Sequence, residues 1–169
     1  ASTTIQATSS GDTTFALNDR WVITDDNPVN GALSDTHVLA GPGNPSVVAD
    51  LVSQTVFDYV PNTGTEGVLA NYTVTIPANS MRNLLFFNGV NQTSADAESI
   101  AAIYNNVQSL QGSTLLDGLT VQQLANTMNW DSLVPKISVS NVTTTEGNSG
   151  TTFATFNLSL SAASGKTIA

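Results

Sequence analysis

Residues 137–169 read ISVSNVTTTEGNSGTTFATFNLSLSAASGKTIA. Ile137 and Val139 alternate with Ser138 and Ser140, and Ala154, Phe156, Leu158 and Leu160 alternate with Thr155, Asn157 and Ser159. A period of two gives each stretch one apolar and one polar face, the signature of a half-buried β-strand. Between them TTEGNSGTT is rich in Gly, Asn and Ser, so the chain turns there. A lone two-stranded hairpin is marginal in water, because its apolar face has nothing to pack on. Two expectations follow. Either this stretch opens a β-sandwich that continues in a longer protein, or another segment completes it.

The stretch resembles the start of a Calx-β domain, an Ig-like calcium-binding β-sandwich of sodium–calcium exchangers, integrin β4 and many bacterial surface proteins. The matching residues are Ile137-Ser138-Val139, Val142-Thr143-Thr144-Thr145-Glu146-Gly147 and Phe153 through Ser161. They span about a fifth of the chain and roughly a third of a ~100-residue domain. The resemblance implies that Glu146 contributes to a calcium site at one end of the sandwich. One carboxylate does not make such a site, since Ca²⁺ takes six to eight oxygens.

Composition narrows the functional classes. Hydrophobic residues make up 40% of the 169, enough for a core. Charged residues make up only 10%, against a usual ~25%, and Thr, Ser and Asn supply the polarity instead. The net charge is −9, with four Lys and Arg in total. No basic patch can form, which excludes nucleic acid and disfavours anionic membrane surfaces. No cysteine is present, so disulfides, zinc–thiolate sites and a thiol nucleophile are excluded. No apolar run approaches the ~20 residues of a spanning helix, so no direct membrane insertion is expected. The opening ASTTIQA fits a mature N-terminus left by a removed signal peptide.

The chain upstream of residue 132 reads as an antiparallel β-sandwich with two short helices. Residues 1–10 are extended and carry Ile5 as their one large apolar residue; they read as a frayed terminus or, more sharply, as an edge strand or one donated to a neighbour. From residue 11, strands and turns alternate. Phe15, Leu17, Trp21 and Ile23 mark the first strand region. TDDNPVNG (24–31), AGPGNPS (40–46) and PNTGTEG (61–67) mark turns. Residues 47–60, 68–77 and 81–90 supply further strands, the last apolar enough to be buried. Thr93-Ser94-Ala95-Asp96 then offers a helix cap, followed at helical spacing by Ile100, Ile103, Tyr104, Val107 and Leu110, with Gly112 as the stop. Thr120-Val121-Gln122-Gln123 caps a second helix bearing Val121, Leu124, Ala125 and Met128. A helical hairpin at 94–128 and a linker at 132–136 result. Residues 11–131 are similar to a sandwich-plus-helices module of bacterial secreted and surface multi-domain proteins, on TVTIPANSMRNLLFF (73–87) and on residues 94–131. That resemblance implies no catalytic residues.

Catalytic constellations are scarce. His37 is the only histidine, and no GxSxG elbow exists to present a serine to it. Asp25 and Asp26 are adjacent, and adjacent strand residues point to opposite faces, so they do not form a glycosidase pair. In the turn they suit Asx hydrogen bonds, or calcium with Asn27 and Asn30. Asp25, Asp26 and Glu146 are therefore the metal candidates. Trp21, Phe57, Tyr59 and Trp130 could stack on sugars, but aromatics in a small β-domain mostly fill its core. Asn71, Asn91, Asn141 and Asn157 open N-x-S/T sequons.

The reading that results is a non-enzymatic structural or adhesive protein, extracellular or at the cell surface. Its sharper form is a filament subunit, a homo-polymer whose open sandwich is completed by a strand from a like subunit. Its partners would be like subunits or other surface proteins. The alternative is a calcium-binding accessory module of a larger secreted enzyme.

Overall fold

The computed structural model describes residues 3–25, 33–53, 57–58, 65–145 and 147–161. The chain is β-rich, with antiparallel sheets and a few short helices. β1 (Thr4–Thr8), β2 (Trp21–Asp25) and β3 (Ser34–Val38) come first. β4 (Leu51–Ser53), β5 (Phe57–Asp58), β6 (Thr65–Glu66) and β7 (Leu69–Asn71) form two nested ladders, β4 with β7 and β5 with β6. β8 (Phe87–Asn91) returns beside β3 and completes a four-stranded sheet of order β1-β2-β3-β8.

Alternation along β2 sets the faces of this sheet. Trp21 pairs with Val38, Ile23 with Thr36 and with Ala7, and Val38 in turn with Phe87. Directly opposed residues share a face, so these apolar side chains form one surface. The helices cover it. α1 (Ser94–Ala101) runs into a 3₁₀ turn at Ala102–Asn105, then come α2 (Val107–Gln111), a second 3₁₀ turn at Thr114–Leu116 and α3 (Val121–Ala125). The core contains Trp21, Ile23 and Val38 from the sheet, and Ala97, Ala101, Tyr104, Leu110 and Leu124 from the helical side.

The expected helical hairpin is thus five short helical segments. Asn106 breaks the first helix because its backbone is extended (φ −137°), with its side chain accepting from Gln108 N–H to start α2. Gly112 ends α2, as the spacing predicts. Thr93 caps α1, and Thr120 with Gln123 forms a complete capping box on α3. The predicted stripe packs in part: Tyr104 and Leu110 are buried in the core, as expected. Ala97 and Ala101 are fully buried, whereas Ile100 and Ile103 are partly exposed. α1 lies across β2, β3 and β8, and small residues let a helix come close to a sheet.

Strand lengths also differ from the expectation. Within 68–77 only Leu69–Asn71 is paired, and within 81–90 the strand begins at Phe87. Residues 81–86 instead make an isolated bridge between Asn83 and Thr127. The segment following α3 enters the core. Trp130 packs edge-on against Phe87 (5.6 Å between ring centroids) and near Tyr104 (6.4 Å), and its Nε1–H donates to Leu85 O. Asn129 is fully buried; its amide donates to Leu39 O and Leu85 O and accepts from Leu85 N–H. One side chain therefore ties the end of β3 to the chain entering β8. Gly41 is required beside it, since a Cβ there would sit 2.3 Å from the Trp130 ring.

β9 (Ile137–Val139) and β10 (Leu158–Leu160) form a separate antiparallel hairpin. β1 is the edge strand of the four-stranded sheet, so residues 4–8 are paired with their own chain through β2.

Candidate functional site

Two regions carry features that a folded core does not account for. The first is the β9–β10 hairpin. Its register sets Ile137 opposite Leu160 and Val139 opposite Leu158, so all four lie on one face. The other face is polar, with Ser138 and Ser159 hydroxyls 2.7 Å apart. Further bonds zip its base and far end: Ser161 N–H donates to Lys136 O, and Ser140 N–H to Asn157 O. The described residues leave the apolar face about half exposed. Leu158 is 71% exposed, and Phe153 and Phe156 beside it are exposed as well.

The second region is a polar cleft of about 440 Å³ between the main body and the hairpin base. Three segments build it. The loop after β3, Gly41-Pro42-Gly43-Asn44, lies over Trp130 and Asp131; Gly43 has φ +87°, and a Cβ there would meet Asp131 Oδ2 at 2.8 Å. Asn105 and α2 form a second wall, and the segment from Asp131 to Lys136 forms the third. Asn105 is anchored from below, its Oδ1 accepting from Arg20 Nη2 (2.9 Å) and Trp21 Nε1 (3.0 Å).

The corner of the cleft is Asp131-Ser132. Ser132 has φ +59°, a left-handed conformation unusual for a residue with a Cβ. Its carbonyl accepts from Gln111 Nε2 at 2.6 Å, and its hydroxyl donates to Asp131 Oδ1 at 2.8 Å. Asn44 N–H donates to Asp131 Oδ2 at 3.3 Å. The Ser132 hydrogen bond, then that of Asn44, hold the Asp131 pKa below the usual carboxylate value, with the Lys136 charge adding to them against partial desolvation. Gln111 is nine-tenths buried, and its Oε1 accepts no hydrogen bond.

The sequence-predicted residues lie elsewhere. Asp25 ends β2 and is buried. Its Oδ2 accepts from Ser34 Oγ (3.4 Å), and its carbonyl accepts from Thr4 Oγ1 (2.9 Å). Asp26, Asn27, Asn30 and Glu146 lie outside the described residues. Among the described residues, no three His, Asp or Glu side chains gather as a metal site would need. Among them too, no helix is long and apolar enough to cross a membrane.

His37 stands in a chain of hydrogen-bonding groups across three strands. Thr24 Oγ1 is 3.1 Å from Nε2, and Asn88 Oδ1 is 3.3 Å from Nδ1. With Nδ1–H donating to Asn88, Nε2 accepts from the Thr24 hydroxyl. Hydroxyl, imidazole and amide stand in the order of an acyl-transfer triad. Thr24 is buried, however, so this hydroxyl is withheld from solvent.

Of the sequon residues, Asn71, Asn141 and Asn157 are exposed. Asn91 is half-buried, its amide donating to Thr36 Oγ1 (3.4 Å), and the hydroxyl of its sequon threonine, Thr93, is engaged as the cap of α1. Trp21 and Trp130 are core residues; the side chain of Phe57 and all of Tyr59 lie outside the described residues.

Sequence reasoning missed Asp131, Ser132 and Gln111. Asn106 carried a readable signal, an N-cap residue before an apolar one. Nothing local marks Gln111, whose partner lies 21 residues away. Against models of protein families, curated proteins and solved structures, the chain shows no match.

Proposed function

We propose that this chain is a non-enzymatic structural or adhesive protein of the cell surface or extracellular space. In this reading it is a filament subunit, and the β9–β10 hairpin belongs to an Ig-like β-sandwich of the Calx-β kind that a strand from a neighbouring subunit completes. One observation carries it: Ile137, Val139, Leu158 and Leu160 share one face that the described residues leave about half exposed. The four are roughly half exposed, so burying the remainder is worth about 3–6 kcal/mol gross. Contiguous exposed apolar surface of this kind marks contact sites in soluble proteins.

The proposed donor is the N-terminal segment of a like subunit. In the single chain its residues 4–8 occupy the edge of the main sheet, and an edge strand is the one that exchanges between subunits without dismantling a sheet. Donation from each subunit to the next is a head-to-tail contact, which generates open fibres. Calcium enters as a stabiliser through Asp25, Asp26 and Glu146; a melting temperature equal in calcium and in chelator overturns that part alone.

Light scattering with negative-stain imaging of the purified chain tests the polymer. Fibres or large oligomers that Leu158→Asp dissolves support it. A chain that stays monomeric at all concentrations overturns it.

A further inference from the structure

Edge strands present unpaired N–H and C=O groups, and proteins guard them with a bulge, a charge, a Pro or a covering segment. The four-stranded sheet has two edges, β1 and β8. β1 is guarded, since its register shifts between Ile5 and Ala7. β8 reads Phe87-Asn88-Gly89-Val90-Asn91, with no charge, no Pro and no break in its register along β3. Of the strands and helices, β3 and α1 pack closely on β8, and α1 lies across the sheet, meeting β2 and β3 as well.

The phase of the hydrogen bonds shows which groups are open. Leu39 N–H donates to Arg20 O, and Trp21 O accepts from Ser9 N–H. Along a strand these groups alternate between the two sides. The odd-numbered residues of β3 therefore serve β2, and Ser34, Thr36 and Val38 serve β8. Their partners are Asn91, Gly89 and Phe87. Asn88 and Val90 direct their N–H and C=O outward. Among the described residues, neither main chain bonds to a further segment. Val90 is 65% exposed, and Asn88 Oδ1 turns to His37 Nδ1 at 3.3 Å.

Gly89 adds a second observation. Glycine inside a strand weakens it and marks a bulge or a place where another backbone comes close. β8 has no bulge. The chain's own packing does not require glycine either. A Cβ there would find Asn91 Nδ2 at 3.9 Å and Thr36 Cβ at 4.0 Å, both ordinary contacts.

The open edge is complementary to itself. With a second β8 laid antiparallel about Gly89, Asn88 stands opposite the partner's Val90, and Val90 opposite the partner's Asn88. Both are hydrogen-bonded pairs, so every outward group of the two residues is met. Gly89 then opposes the partner's Gly89 at the non-bonded position between them, where antiparallel backbones come closest, about 4.5 Å between Cα atoms. No charge opposes a like charge along the pair.

We propose that β8 pairs with β8 of a second copy of this chain, antiparallel about Gly89, joining two four-stranded sheets into one. The contact is isologous and closes on itself. It is separate from strand donation, since it uses neither β1 nor the hairpin.

The test uses the full chain carrying Leu158→Asp, so that the hairpin contact is silent and either interface can fail without the other. Sedimentation velocity is run at roughly 0.5 M salt, which screens the −9 charge of each copy. Five-residue strands make a contact at the small, transient end of interface sizes, so the series spans about 10 μM to about 1 mM. The expected result is a reversible monomer–dimer equilibrium. Amide hydrogen exchange by NMR reads the site: the Phe87, Gly89 and Asn91 amides exchange slowly at every concentration, and those of Asn88 and Val90 slow only as the dimer forms. Val90→Pro removes an outward N–H and spares the ladder to β3. It should weaken the dimer about tenfold or more, the scale of the two bonds lost across the two-fold. If Val90→Pro does not fold, Val90→Lys, which puts a charge on the exposed edge, decides by the same loss. A monomer throughout, a dimer that the folded variant leaves unchanged, or Asn88 and Val90 amides whose exchange does not depend on concentration overturns the proposal.

Discussion

Trp21 in β2 and Leu158 in β10 occupy the same kind of position, an apolar residue on the apolar face of an antiparallel strand. Trp21 is 7% exposed and Leu158 is 71% exposed. The two regions differ in what stands opposite. β2 faces a helical layer that begins about seventy residues later in the chain, whereas Leu158 and Leu160 of β10 lie outside the packed core and are largely exposed. An alternating pattern therefore specifies a face to be buried. What buries it is encoded elsewhere, and for the hairpin the described residues leave that face largely exposed.

The contrast can be broken most sharply at Asn129. Asn129→Ala leaves the Leu85 N–H without its partner and takes one of two donors from each of Leu39 O and Leu85 O, which keep Tyr72 and Trp130. The orphaned N–H costs about 1–3 kcal/mol and each lost carbonyl bond about 0.5–1.5, so the body should lose about 2–4 kcal/mol in urea unfolding followed by tryptophan fluorescence. Next is Gly41→Ala, whose Cβ would stand 2.3 Å from the Trp130 ring; a loss of about 1–3 kcal/mol is expected from overpacking. Thr120→Ala removes the capping box of α3 and should cost about 1 kcal/mol by the same measurement. Smallest is Leu158→Ala, which at monomeric concentration should change body stability by less than about 0.5 kcal/mol, as exposed positions do. If Leu158→Ala destabilised the body as Asn129→Ala does, the two regions would be one packed unit and the comparison would fail.

Two titrations sharpen it from the side of pH. The Asp131 carboxyl has its pKa lowered in the folded chain, chiefly by the Ser132 hydroxyl. Its stabilising contribution is complete above the unfolded carboxylate pKa and is lost as pH falls through the lower folded value. Asp131→Asn should remove that acid limb from the stability profile. Tyr72 behaves in the opposite sense. Burial pushes its pKa up to about 12, and its hydroxyl donates to Leu39 O. Its contribution is complete below the ordinary tyrosine pKa and is lost as pH rises towards about 12. Burial raises the Tyr104 pKa as well, so an alkaline absorbance titration should show both tyrosines ionising late, and Tyr72→Phe should remove the later part.

Local signals were legible where the physics is local. The caps at Thr93 and Thr120, the stop at Gly112 and the alternation of the hairpin all depend on groups within a few residues of one another, and the chain folds accordingly. The apolar stripe over Ile100 and Ile103 misled because periodicity counts size as burial. α1 instead meets the sheet through Ala97 and Ala101, where only a small side chain permits close approach. The stretch 68–77 alternates like a strand, yet Leu69–Asn71 alone is paired. Beyond it Tyr72 turns to the Leu39 carbonyl and to the ring of Phe86 at 5.3 Å.

The polar cleft had no sequence signature, since Gln111, Asp131 and the loop at Gly43 become neighbours only through folding. The same holds for the Trp21 indole, which donates to Asn105 across 84 residues. By itself the sequence determined the β-rich class, the helix ends, and which face of each strand is apolar. These follow from side-chain period and from hydrogen bonds spanning a few residues. Only the tertiary structure decided which apolar faces find partners, which buried amide bridges distant backbones, and where an acceptor is left without a donor. Those outcomes depend on contacts between segments far apart in the chain, whose geometry no local pattern records.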